Sequence, residues 1–175
     1  IVANGATLGG TGFIGSATTL NAGARLSPGV SVGTLTFNGN LTLNAASVLN
    51  FELGPTNASD RVVVAGALTL GGALNVTNLA GFTSGSYPLF SYTGALGGAL
   101  PTLGTMPAGY AFSVSTNTPG EVRLIVQVTA VPTIAILPKA MPLGAMSPSA
   151  CTRMKVPGII CSAKFSSIAL SPGRG

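Results

Sequence analysis

Residues 10–15 read G-T-G-F-I-G. This matches the Gly-x-Gly-x-x-Gly spacing with which dinucleotide-binding domains cradle a pyrophosphate between a buried strand and a helix N-terminus. The flanks do not supply that context. Upstream, I-V-A-N-G-A-T-L is short and interrupted by Asn4 and Gly5. Downstream, the Thr, Asn and Gly residues disfavour a helix, and Pro28 breaks one. A ribose-binding acid belongs about 20 residues further on, but the first carboxylate is Glu52. The glycines therefore read as a turn in an all-β protein, and no nucleotide or other cofactor is expected.

The remaining chemical inventory is thin. The chain has no His, two Cys (Cys151 and Cys161) and three acids, Glu52, Asp60 and Glu121. General acid–base catalysis draws on His or paired carboxylates. A metal needs a cluster of His, Cys or carboxylate ligands. Here Asp60 adjoins Arg61, and Glu121 stands two residues from Arg123 on one strand face, so these groups read as surface charge. No catalytic, cofactor-binding or metal-binding residue is expected, and the chain reads as a non-enzyme. Asn40, Asn57 and Asn75 open Asn-x-Ser/Thr triplets, which an Asn- and Thr-rich strand protein produces by chance.

Charged residues make up 6% of the 175 and apolar ones 46%. A soluble domain has about 25% charge, so Asn, Thr and Ser must carry the solubility here. High apolar content with low charge argues against a chain disordered throughout. A start at Ile1, with no leader pattern, reads as a fragment or a processed chain.

Two compositions meet near Val131-Pro132. Residues 1–129 balance Arg25, Arg61 and Arg123 against the three acids. Residues 130–175 hold Lys139, Arg153, Lys155, Lys164 and Arg174 with no acid, so the whole net charge of +5 lies there. Pro at 132, 138, 142, 148, 157 and 172 excludes long helices from this tail. Three readings of it stand open: a disordered linker, an out-of-frame translation, or a basic anchor for an anionic surface. Cys151 and Cys161 could pair in an exported protein, and spacing alone leaves that undecided.

The body repeats itself. T-L-N-A at 19–22 returns at 42–45, and the same offset of 23 carries Leu26 onto Leu49. N-G-N-L-T-L at 38–43 returns as A-G-A-L-T-L at 65–70, an offset of 27, and L-N-F at 49–51 returns as L-N-V at 74–76. Within each unit apolar residues alternate with Thr, Asn or Ser, as in Leu35/Phe37, Leu41/Leu43, Leu49/Phe51/Leu53, Leu68/Leu70 and Leu74/Val76. Period 2 marks a strand with one buried face. The breaks fall at Asn38-Gly39, Gly54-Pro55, Gly71-Gly72 and Ala80-Gly81, which is turn chemistry. One such unit cannot bury its own apolar face, whereas stacked units can.

The fold expected is all-β: a right-handed parallel β-helix (solenoid) of about five coils at ~4.8 Å each. A β-sandwich is the alternative. Repeat coils are expected over 1–81, an irregular β cap over 82–129, and the Pro-rich basic tail over 130–175.

The run A-R-L-S-P-G-V-S-V-G-T-L-T-F-N-G-N-L-T-L (24–43) resembles the autotransporter-associated β-strand repeat of bacterial surface proteins. D-R-V-V-V-A-G-A-L-T-L-G-G-A-L-N-V (60–76) and G-Y-A-F-S-V (109–114) resemble the C-terminal ends of such proteins. The likeness covers roughly 5–128. It implies a secreted or surface-displayed passenger or stalk, adhesin-like, at the outer membrane of a Gram-negative-type bacterium, and it brings no catalytic residues. The partners implied are neighbouring coils of a longer chain. A carbohydrate-binding or polysaccharide-processing β-helix is the second reading, with surface glycans as partners; nucleic acid and nucleotide are not expected.

Overall fold

The computed structural model describes residues 1–129. The tail readings and the Cys151–Cys161 pairing lie outside the described residues. The described chain forms fifteen strands and no helix.

Four coils follow one another, each with three strands. The first holds β1 (Thr7–Gly10), β2 (Gly12–Ile14) and β3 (Thr18–Leu20). The second holds β4 (Arg25–Pro28), β5 (Thr34–Phe37) and β6 (Leu41–Leu43). The third holds β7 (Val48–Leu53), β8 (Arg61–Val64) and β9 (Leu68–Leu70). The fourth holds β10 (Ala73–Asn78), β11 (Gly85–Tyr92) and β12 (Leu96–Gly98). The two-residue strand β13 (Thr102–Leu103) begins a fifth turn, so the count is four full coils rather than five. Strands of successive coils pair in parallel into three sheets, β1-β4-β7-β10-β13, β2-β5-β8-β11 and β3-β6-β9-β12. The chain is thus a parallel β-solenoid, and the sandwich alternative falls because every coil contributes one strand to each of three parallel sheets.

The sequence repeats are the stacking register. Thr19 pairs with Thr42 and Leu20 with Leu43, the offset of 23. Leu26 pairs with Leu49. Leu41 pairs with Leu68 and Thr42 with Thr69, the offset of 27. Leu49 lies on Leu74 and Phe51 on Val76. Like residues meet because each column of the core has one width to fill. Leu20, Leu26, Phe37, Leu41, Leu49, Val62, Leu68 and Leu74 are all fully buried. Burying each such side chain is worth roughly 1.5–3 kcal/mol. Across the interior, Phe51 and Phe90 meet edge to face with centroids 5.5 Å apart, which fixes the first sheet against the second.

Within 82–129, β11 and β12 complete the fourth coil, and β14 (Tyr110–Ser115) and β15 (Glu121–Val128) form an antiparallel hairpin. The hairpin extends the second sheet, β15 pairing antiparallel with β11. Val122, Leu124 and Val126 of β15 are buried, so the core continues one layer past the last coil. Here the sheet edge that β11 would expose is occupied. The register slips between Pro88 and Phe90, and Leu89 and Phe90 both turn inward. Pro88 has no N–H to give to a ladder, which suits it to that irregularity.

Candidate functional site

The corners of the solenoid are unequal. Between the second and third sheets every coil spends three residues, at 15–17, 38–40, 65–67 and 93–95. Between the first and second sheets the first coil spends Thr11 alone, and the later ones spend 29–33, 54–60 and 79–84. Variation in coil length is concentrated at this one corner. Loops held on a rigid scaffold are where binding chemistry gathers.

The opening G-T-G-F-I-G lies at the tightest of these corners. Gly10 (φ 91°) ends β1 and Gly12 (φ 115°) begins β2, so both glycines serve a one-residue bend. A strand follows, where the pyrophosphate fingerprint requires a helix.

Asp60 is not surface charge. It is 1% exposed, at the end of the 54–60 loop. Its Oδ1 accepts the backbone N–H of Gly33 at 2.9 Å and its Oδ2 that of Glu52 at 2.8 Å. The backbone repeats the same links: Asp60 N–H donates to the Glu52 carbonyl and Arg61 N–H to the Gly33 carbonyl, both at 2.9 Å. One carboxylate thus closes its own loop and clamps the corner of the coil before it. Burial pushes its carboxyl up to about 6, opposed by the two N–H bonds, with the Glu52 charge adding to the rise.

Arg61, Glu121 and Arg123 come together on the outer face of the second sheet. Arg61 donates to Ser91 Oγ through Nε (3.1 Å) and Nη2 (2.9 Å). Its Nη2 lies 3.7 Å from Glu121 Oε1. Glu121 Oε2 also accepts from Arg123 Nη1. Arg123 is anchored in turn by Ser86 Oγ at 2.7 Å. Two arginines therefore serve one carboxylate. Among the described residues, no three His, Cys, Asp or Glu side chains gather.

Beside Arg61, under the 54–60 loop, Thr34, Thr56, Asn57, Ser59, Arg61 and Pro88 line a pocket of about 230 Å³. Residue-by-residue reading missed this pocket. The offset of 27 was the signal available, because it sets Thr34 beside Arg61 in the register. Two of the three Asn-x-Ser/Thr asparagines are structural: Asn40 Oδ1 accepts Ala67 N–H (2.9 Å), and Asn75 bonds both Thr105 N–H (2.8 Å) and Asn50 (3.0 Å). Asn57 stands exposed in the pocket wall.

No protein-family model matches the chain. Over an alignment 108 positions long that covers 57% of this chain, the sequence is 41% identical to the adhesin BmaC autotransporter of Brucella suis biovar 1 (strain 1330). The chain spans 3% of that protein's length. The passenger-repeat resemblance read from 24–76 thus meets both an autotransporter adhesin sequence and a β-solenoid of the passenger type.

Proposed function

We propose that this chain is a segment of a surface-displayed passenger, a rigid stalk that carries adhesive loops away from the cell. The observation that carries the reading is the register of the coils, joined to the identity with an autotransporter adhesin. The work of such a segment is mechanical. Stacked Leu, Val and Phe and the ladders between coils hold a rod on whose corners loops can vary. Residues 1–129 contain no Cys, which suits passage through an export pore in an unfolded state. Folding can then propagate coil by coil.

The test places the full chain between a signal peptide and an autotransporter β-barrel in a Gram-negative host. Antibody staining of intact cells should show it outside, resistant to added protease. Retention inside the cell, or ready proteolysis at the surface, would overturn the reading. Polysaccharide processing is the weaker alternative. The oxygens of Asp60 are committed to backbone N–H groups, and Glu121 lies between two arginines.

A further inference from the structure

We infer that the pocket beside Arg61 is a binding site for a single acidic sugar residue, a uronate held by its carboxylate and ring hydroxyls. The proposal extends the passenger reading by naming what the stalk would meet.

The first argument is the guanidinium. Nε and Nη2 of Arg61 are fixed on Ser91 Oγ, so the group is held in one orientation before any ligand arrives. Among the described residues, Nη1 makes no hydrogen bond. A held guanidinium thus keeps one nitrogen, Nη1, for a carboxylate oxygen, while Nη2 already faces Glu121 Oε1 at 3.7 Å.

The second argument is the rest of the wall. Thr34, Thr56 and Asn57 are exposed, and among the described residues their side chains make no internal hydrogen bond. Ser59 donates its hydroxyl hydrogen to the Pro55 carbonyl and keeps its oxygen as an acceptor. Hydroxyls and a carboxamide match sugar hydroxyls in both donor and acceptor senses. The Pro88 ring offers a small apolar surface for the C–H face of a pyranose. At about 230 Å³ the pocket is smaller than the ~300–1,000 Å³ of drug-sized sites, so one sugar ring is the unit it fits.

The test uses the purified full chain, labelled with ¹⁵N and titrated with glucuronate, glucose and acetate. Binding is read in solution, so its outcome is independent of whether the chain is displayed on a cell. Glucuronate should shift the amide signals of 56–61 and the Arg61 Nε–H, with a Kd of about 1 mM. Glucose and acetate should each bind about tenfold more weakly, because each offers half of the recognition. Arg61→Gln and Asn57→Ala should each weaken glucuronate about tenfold. Asn57 lies on an exposed loop, so its variant keeps the test intact if Arg61→Gln disturbs the sheet. Tighter binding of a hyaluronan tetrasaccharide would assign the sugar to a polymer, and tighter binding of free glucuronate to a chain end. Equal shifts with acetate would reduce the site to an anion contact and overturn the proposal, as would shifts away from 56–61 or none at all.

Discussion

Gly29 and Asp60 share one space, although 31 residues separate them. A β-carbon on Gly29 would sit 2.6 Å from Asp60 Oδ1, and the glycine itself has φ 83°. The Ser-Pro-Gly corner of the second coil is therefore shaped to admit a carboxylate from the third.

Gly29→Ala should be clearly worse than Gly109→Ala. Both glycines have positive φ, but nothing lies within 4 Å of a β-carbon at Gly109. Backbone strain alone should cost Gly109→Ala about 1–2 kcal/mol. Gly29→Ala adds collisions with the Ser31 carbonyl oxygen and with Asp60 Oδ1 and should lose roughly a further 1–3 kcal/mol. Urea melts of the two variants measure the gap, and equal losses would mean the corner around Gly29 is not packed this tightly.

The pH dependence of stability should carry the signature of Asp60. Its folded pKa, about 6, lies above the ordinary 3.8. The folded state therefore binds the proton more tightly. The stabilisation this group gives is fully present below about pH 4 and is lost as pH rises through about 6, an effect of up to roughly 3 kcal/mol. Asp60→Asn should abolish that slope, which thermal melts at acid and neutral pH would reveal. It should also cost about 1–3 kcal/mol at low pH, since an amide has one acceptor oxygen for two N–H donors. Parallel pH profiles for the two proteins would sink the idea.

Leu43→Asp should unfold the solenoid where Thr42→Asp is mild. Leu43 is 2% exposed within the core, and Thr42 faces outward on the same strand. An unpaired charge in the stack should cost about 4 kcal/mol or more, against about 0.5 kcal/mol outside. Circular dichroism of both variants decides it.

At the hairpin, packing should outweigh charge. Glu121→Gln removes partners from two partly exposed arginines and should cost less than about 1 kcal/mol, falling further in high salt. Leu124→Ala deletes a fully buried side chain and should cost about 2–5 kcal/mol. Denaturant midpoints with and without added salt separate the two effects.

Much of this architecture was legible because the core repeats its own side chains. Thr-Leu-Asn-Ala over Thr-Leu-Asn-Ala is a strand lying on its neighbour, so finding the repeat was finding the register. The three-strand coil was harder to see, since strands as short as Leu41–Leu43 merge with their turns. Asp60 went unread for a different reason. It shares parity with Val62 and Val64, which points it inward, yet the adjacent Arg61 suggested an exposed pair. Its partners come from a corner 27 residues back and a strand 8 residues back, a meeting that only the closed coil creates. The double inward turn at Leu89 and Phe90 breaks the period of 2 that was the guide elsewhere. The pocket escaped because its six residues come from three successive coils.

Because the hydrogen bonds that join coil to coil run along the stack, tension applied end to end loads them head-on, a few at a time. The rod should yield as a zipper does. Each coil that peels away would release some 23–29 residues of slack, going by the register steps Arg25 to Val48, Val48 to Ala73 and Ala73 to Thr102. At up to about 3.4 Å per extended residue, that is close to 80–100 Å per coil, in place of the ~4.8 Å it occupied. Under load such a tether becomes a shock absorber, lengthening in steps while the coils behind the break keep their shape.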